Sequence, residues 1–146
     1  MIHVPLLVFS LLYSQVINIF ETIIWIKGFW RIKTPFPICK GDVKNDGYHL
    51  LLALLYFLPF IAITSSFFEA LPWAWLVWFL NDTTWHFWSV HPKYWTKWII
   101  FYFDPHSEVT LWYARFFIVK VKVSPKRMFY ITIFRLLFMP FLFILL

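Results

Sequence analysis

The chain has 146 residues, of which 62% are apolar and only 14% charged, and its mean hydropathy is +0.71. A soluble domain carries about 25% charged residues to cover its surface, so this composition argues against a water-covered globule and for a single all-α polytopic membrane unit over 1–146. The net charge of +6 then belongs to loops on one side of a bilayer rather than to a nucleic-acid surface, and the lone Cys39 excludes an internal disulfide.

The start, Met-Ile-His-Val-Pro, has neither the basic region and cleavage site of a secretory signal nor the Arg- and Ser-rich character of a transit peptide, so the first helix is expected to be retained. A spanning helix needs about 20 mostly apolar residues. The stretch 4–26 meets this with Glu21 as its only charge, and 48–68 meets it with none, Pro59 marking a kink. The loop between them, 27–47, holds five basic residues against Asp42 and Asp46.

Segment 91–127 holds seven basic residues against Asp104 and Glu108. If both basic stretches lie on one face, an even number of crossings separates them, which makes 71–90 a third span despite its polar Asn81-Asp82-Thr83-Thr84. The last span is 128–146, with Arg135 inside it. Four transmembrane helices are therefore expected, with three as the alternative. Within 92–103, Lys93 and Lys97 share one helical face and Trp95, Trp98, Ile99 and Tyr102 another, the pattern of an interfacial amphipathic helix with its aromatic face toward lipid. Asp104-Pro105 reads as the cap of a second such helix over 105–123.

Seven of the ten tryptophans fall between residues 73 and 98, more than one aromatic belt requires. The surplus implies contact with other subunits or bound lipid. With three glycines there is no phosphate-binding loop.

Ionisable residues inside a membrane cost at least about 2.5–3.5 kcal/mol on insertion scales, so each is a pairing or functional candidate. Four qualify: Glu21, Asp82, His86 and Arg135. At about 1.5 Å of rise per residue, they sort into two depths, Asp82 with Arg135 and Glu21 with His86. The expectation is that they satisfy one another or groups on a neighbouring subunit. Alternatives are a proton path through Glu21, Asp82 and His86, a metal site on Asp82 and His86 completed by His91 or His106, and a haem between His49 and His86.

Two strings resemble known families. Asn81-Asp82-Thr83-Thr84-Trp85-His86-Phe87-Trp88 resembles the metal-bearing helix of the C subunit of copper membrane monooxygenases, which implies a metal at Asp82 and His86. Lys33-Thr34-Pro35-Phe36-Pro37-Ile38-Cys39 resembles the cysteine loop of a small membrane subunit of respiratory complex I. Each covers under a tenth of the chain. The first lacks the family's remaining histidine spacing and the second its acidic residues, so membership of neither follows.

No complete catalytic constellation is present. The leading expectation is a structural or accessory subunit of a larger membrane complex, with other membrane subunits as partners, bound lipid and no cofactor of its own. The Phe- and Trp-rich composition points to an energy-transducing complex of an organelle, the mitochondrial inner membrane and its respiratory chain foremost. The alternatives are a metal- or haem-binding subunit of a membrane oxidoreductase and a small self-associating channel or transporter.

Overall fold

A computed structural model describes residues 3–33, 47–116 and 119–144, with the backbone alone for 114–116; Cys39 lies outside the described residues. The protein is mostly helical. Helix α1 (Val4–Glu21) opens with a proline in its first turn and runs into a π-helical turn, Thr22–Ile26. The helix stops there because Lys27 and Trp30 take left-handed backbone angles and Gly28 has φ 139°. A side chain on Gly28 would be strained at that φ, so this turn needs glycine for its conformation.

Helix α2 (Tyr48–Thr64) contains Pro59 and ends at a left-handed Ser65. Helix α3 (Phe67–Thr84) follows at once, its Ser66 side chain accepting from the Glu69 amide at 3.4 Å. This is the Ser-x-x-Glu signature of a helix start. It moves the boundary expected near 68–71 upstream and places Glu69 inside the first turn of α3. A break at Trp85 separates α3 from the short α4 (His86–Ser89).

Beyond a 3-10 turn, Pro92–Tyr94, lies α5 (Trp95–Tyr102), then strands β1 (Trp112–Phe116) and β2 (Val119–Val123), and finally α6 (Pro125–Ile144). The strands form an antiparallel hairpin with Trp112 opposite Val123 and Phe116 opposite Val119. The helix expected over 105–123 is thus overturned. Asp104 Oδ1 accepts from the His106 amide at 2.9 Å, and the Ser107 amide reaches the Asp104 carbonyl, closing a turn instead of capping a helix. The alternation Val119-Lys120-Val121-Lys122-Val123 has the period of a strand, and β-branched valine suits a pleated surface.

Two cores result. Helix α3 packs against α1, α2 and α6, and Ile17, Tyr56, Phe60, Ala70, Trp73, Ala74, Leu76 and Val77 fill the interior of that bundle. A second core joins Ile32, Val90, Trp98, Tyr102, Leu111, Val123 and Met128 in a cap at one end. The face of α5 expected to meet lipid is corrected here. Trp98 and Tyr102 are buried in the cap, where burial also holds the Tyr102 phenol well above its ordinary pKa, and Ile99 and Ile100 are exposed along with Thr96 and Lys97.

The cap fixes direction. Ile32 bridges Val90 in parallel, with Ile32 N–H donating to Ser89 at 3.1 Å and His91 N–H to Ile32 at 2.9 Å. The ends of the first helix and of α4 therefore sit side by side, with the described basic residues of 27–33 next to 88–91. The tight turn at 65–66 makes α2 antiparallel to α3. Asp82 meets Arg135 while Trp73 meets Phe143, so α6 is antiparallel to α3 as well.

Among the described residues two helical stretches are long and apolar enough to cross a membrane, Val4–Ile26 and Pro125–Ile144. Helix α2 is apolar but has only 17 residues, and α3 carries Glu69 and Asp82 within its 18. By length and composition the four expected crossings reduce to two.

Candidate functional site: the polar seam of α3

In the first helix, Ser10, Ser14, Asn18 and Thr22 recur every fourth residue, and all four are buried. Such spacing lines up one face of a helix, and here that face meets α3. At the middle of the seam, Asn81 Nδ2 donates to Asn18 Oδ1 at 2.7 Å and to Glu21 Oε2 at 2.6 Å, while Tyr56 of α2 donates to Asn81 Oδ1 at 2.5 Å. One amide thus ties three helices. Toward the cap, Asn18 and Gln15 both donate to Thr84 Oγ1, at 2.9 and 3.0 Å, and the Trp88 indole donates to Gln15 Oε1 at 2.9 Å. Thr22 and Ser89 share a 2.7 Å hydroxyl contact just above.

Glu21 is held within this set. Tyr48 donates to its Oε1 and Asn81 to its Oε2, so both oxygens have a partner. The contact with His86 expected from matched depth does not form. His86 hydrogen-bonds the Thr83 backbone and packs against Phe87 at 4.2 Å, and its buried Nε2 has no partner among the described residues.

Asp82 and Arg135 are brought together on the opposite side of α3: Arg135 Nη1 donates to Asp82 Oδ2. The guanidinium lies 3.7 Å over the Trp78 ring, and the Trp75 indole donates to the Arg135 carbonyl at 3.1 Å. A buried guanidinium needs both a counter-charge and a flat, weakly hydrated surface, and α3 supplies them at Asp82 and Trp78.

Of the other candidates, His91 is exposed and accepts from the Lys93 amide at 3.3 Å, a capping role, while the His49 ring meets Tyr48 edge-on at 5.4 Å. Among the described residues no group of three or more His, Cys, Asp or Glu is gathered closely enough to hold a metal ion. One carboxylate oxygen of Asp82 is occupied by Arg135, and a break at Trp85 stands between Asp82 and His86.

Ionisable residues alone did not reveal the seam. Gln15, Asn18, Asn81, Thr84, Tyr48 and Tyr56 are neutral; the four-residue polar repeat of the first helix marks Asn18 and its face, and no comparable pattern marks the partners on α2 and α3. Chemically the seam is a clasp. It joins the amides of Gln15, Asn18 and Asn81 to the hydroxyls of Thr84, Tyr48 and Tyr56, and the titratable Glu21 is bonded at both oxygens. No protein-family model, curated protein or solved structure matches the chain.

Proposed function

We propose that the protein is a structural subunit of a hetero-oligomeric membrane complex, inserted as a bundle in which α2 and α3 also cross the bilayer under the protection of α1 and α6. The observation that carries this reading is how little of the two apolar spans the chain covers for itself. Only 28% of the first and 17% of the last is buried, and Leu12, Val16, Phe134, Leu137 and Phe141 stand exposed around them. Water cannot tolerate that surface, whereas lipid and neighbouring transmembrane helices can. The polar groups of the seam are turned inward and satisfied, which supports a scaffold rather than a solute path and leaves the channel reading without a route. The aromatic load supports an energy-transducing organellar membrane such as the mitochondrial inner membrane, with bound lipid at the outer faces.

The test is the native mass of the tagged full chain after mild solubilisation from its own membrane. A discrete assembly much heavier than 17.9 kDa and of mixed composition is expected. A monomer or a pure homo-oligomer would refute the proposal. Metal analysis and a visible spectrum of the same material, on which this chain should contribute neither metal nor haem, decide against or for the oxidoreductase alternative.

A further inference from the structure

The two acids bonded within the bundle, Glu21 and Asp82, are treated unequally, and the difference marks one face of the molecule. Glu21 has both carboxylate oxygens bonded inside the seam. Asp82 has Arg135 on Oδ2, and among the described residues no hydrogen bond reaches its Oδ1. Its side chain is 24% exposed, whereas that of Arg135 is 6% exposed with Nε unpartnered. Arg135 lies about 10 Å down α6 from Met128 in the cap core, at 1.5 Å per residue. At that depth lipid offers no donor to an open carboxylate oxygen, and an unsatisfied acceptor in hydrocarbon is costly.

The surroundings of Asp82 are as distinctive as its open oxygen. Trp75 meets Trp78 at 5.5 Å and Phe138 at 5.4 Å, and Phe138 stacks on Phe134 at 5.6 Å with the planes 11° apart. Trp78, Phe134 and Phe138 are 36%, 57% and 38% exposed. The result is a ridge of packed rings along α3 and α6 with one polar acceptor at its edge. The outward residues of α1 and α2, by contrast, are apolar throughout, among them Val8, Leu12, Val16, Leu51, Leu54 and Leu58.

We infer that the α3/α6 face around Asp82 is where a transmembrane helix of a different subunit docks, laying an uncharged hydrogen-bond donor (a hydroxyl, amide or indole) on Asp82 Oδ1 and its apolar side chains against the ring ridge. This rests on the subunit reading above and adds to it the face and the chemistry of the partner. A neutral donor fits because Arg135 already balances the charge, and polar groups between membrane helices act as such local glue. A second copy presenting its α1 or α2 face is disfavoured as occupant because those outward surfaces carry no donor, and one presenting its own α3/α6 face, with the exposed Tyr130 and Trp78, is an outcome that the crosslinked mass separates.

The experiment uses the full chain in its native membrane with a photo-crosslinking phenylalanine analogue in place of Phe138, or in place of Phe20 on α1 as the control. It is paired with the double substitution Asp82→Leu and Arg135→Leu. Replacing a whole buried pair by apolar side chains leaves no orphaned charge, so the double variant is expected to fold, which helical content and thermal unfolding of the purified chain check. The expected result is one protein adduct from position 138, none from position 20, and loss of the 138 adduct together with the heavy assembly in the double variant. An intact mixed assembly with no adduct at 138, an adduct of twice this chain's mass, lipid adducts alone, or a folded double variant that assembles normally would each overturn the inference while sparing the subunit reading. A wild-type chain that runs as a monomer overturns both.

Discussion

Arg135 and Asp82 illustrate how removing half of a buried pair differs from removing all of it. Arg135→Met leaves Asp82 as an uncompensated charge, which costs about 3–5 kcal/mol when a buried pair is broken. The double replacement by leucine is expected to cost far less, and unfolding in mixed micelles titrated with a denaturing detergent should rank the two in that order. Asn81 makes a second contrast at this scale. Its amide bonds Asn18, Glu21 and Tyr56 on two other helices, so Asn81→Ala should destabilise by about 1–3 kcal/mol through the partners it strands. Thr83 is only two residues away, yet its hydroxyl bonds the Phe79 and Leu80 carbonyls of its own helix. Thr83→Ala should therefore stay within about 0.5 kcal/mol. Equal losses at the two positions would show that the seam does not join the helices. At the surface, Lys126 donates to Glu108 at 2.7 Å and holds that carboxyl below its ordinary pKa. A depressed carboxylate stabilises above its unfolded pKa and loses that contribution as pH falls through the folded value. Both partners are solvated, so Glu108→Gln should leave the melting temperature unchanged at neutral pH.

The elements divide into a bundle and a cap with separate cores, and they should come apart separately. Trp98 is buried in the cap against Trp85 and Tyr102, and Trp→Ala at such a site costs about 3–5 kcal/mol. Trp98→Ala should loosen the cap and speed tryptic cleavage at the already exposed Lys120, Lys122 and Lys126 while the spans stay intact, and an unchanged digestion rate would mean that the cap does not depend on this ring. Much of this arrangement was legible from the residues. Long apolar runs gave the helices, and depth along them pointed Arg135 toward Asp82. The hairpin was not legible, because Phe117 and Ile118 between its strands are not turn formers and Asp104-Pro105 imitates a helix start. The inward turn of Trp98 escaped for a related reason. Periodicity says which residues share a face, but not whether the face meets lipid or a hairpin folded over it. The Glu21 partners were missed because equal depth brings residues level without bringing them to the same side of a helix.

Across the whole molecule the described basic residues other than Arg135 belong to the cap segments 27–33 and 93–127, while the turn at 65–66 lies at the far end, beside Glu69. Thiol labelling of a cysteine placed at Lys122 and of Cys39 should report one compartment, and a cysteine at Glu69 the other. Common sidedness for Lys122 and Glu69 would mean that α3 does not cross, leaving three crossings if Cys39 reports the opposite side and two if it reports the same one. The order of partners along the chain also sets a schedule for making it. By the time α3 leaves the ribosome, Asn18, Glu21 and Tyr56 have already been synthesised, so its seam can close at once. Asp82 has no such luck, because its partner Arg135 lies 53 residues later, roughly 3 to 11 seconds of synthesis at 5–20 residues per second. For that interval α3 carries a naked acid, and the insertion machinery or water must hold it. In a nascent chain stalled before Arg135 emerges, a cysteine placed at Val77 of α3 should therefore react with a water-soluble thiol reagent, and in one stalled after α6 has emerged it should be shielded, which makes the last helix the step that commits the third to the membrane.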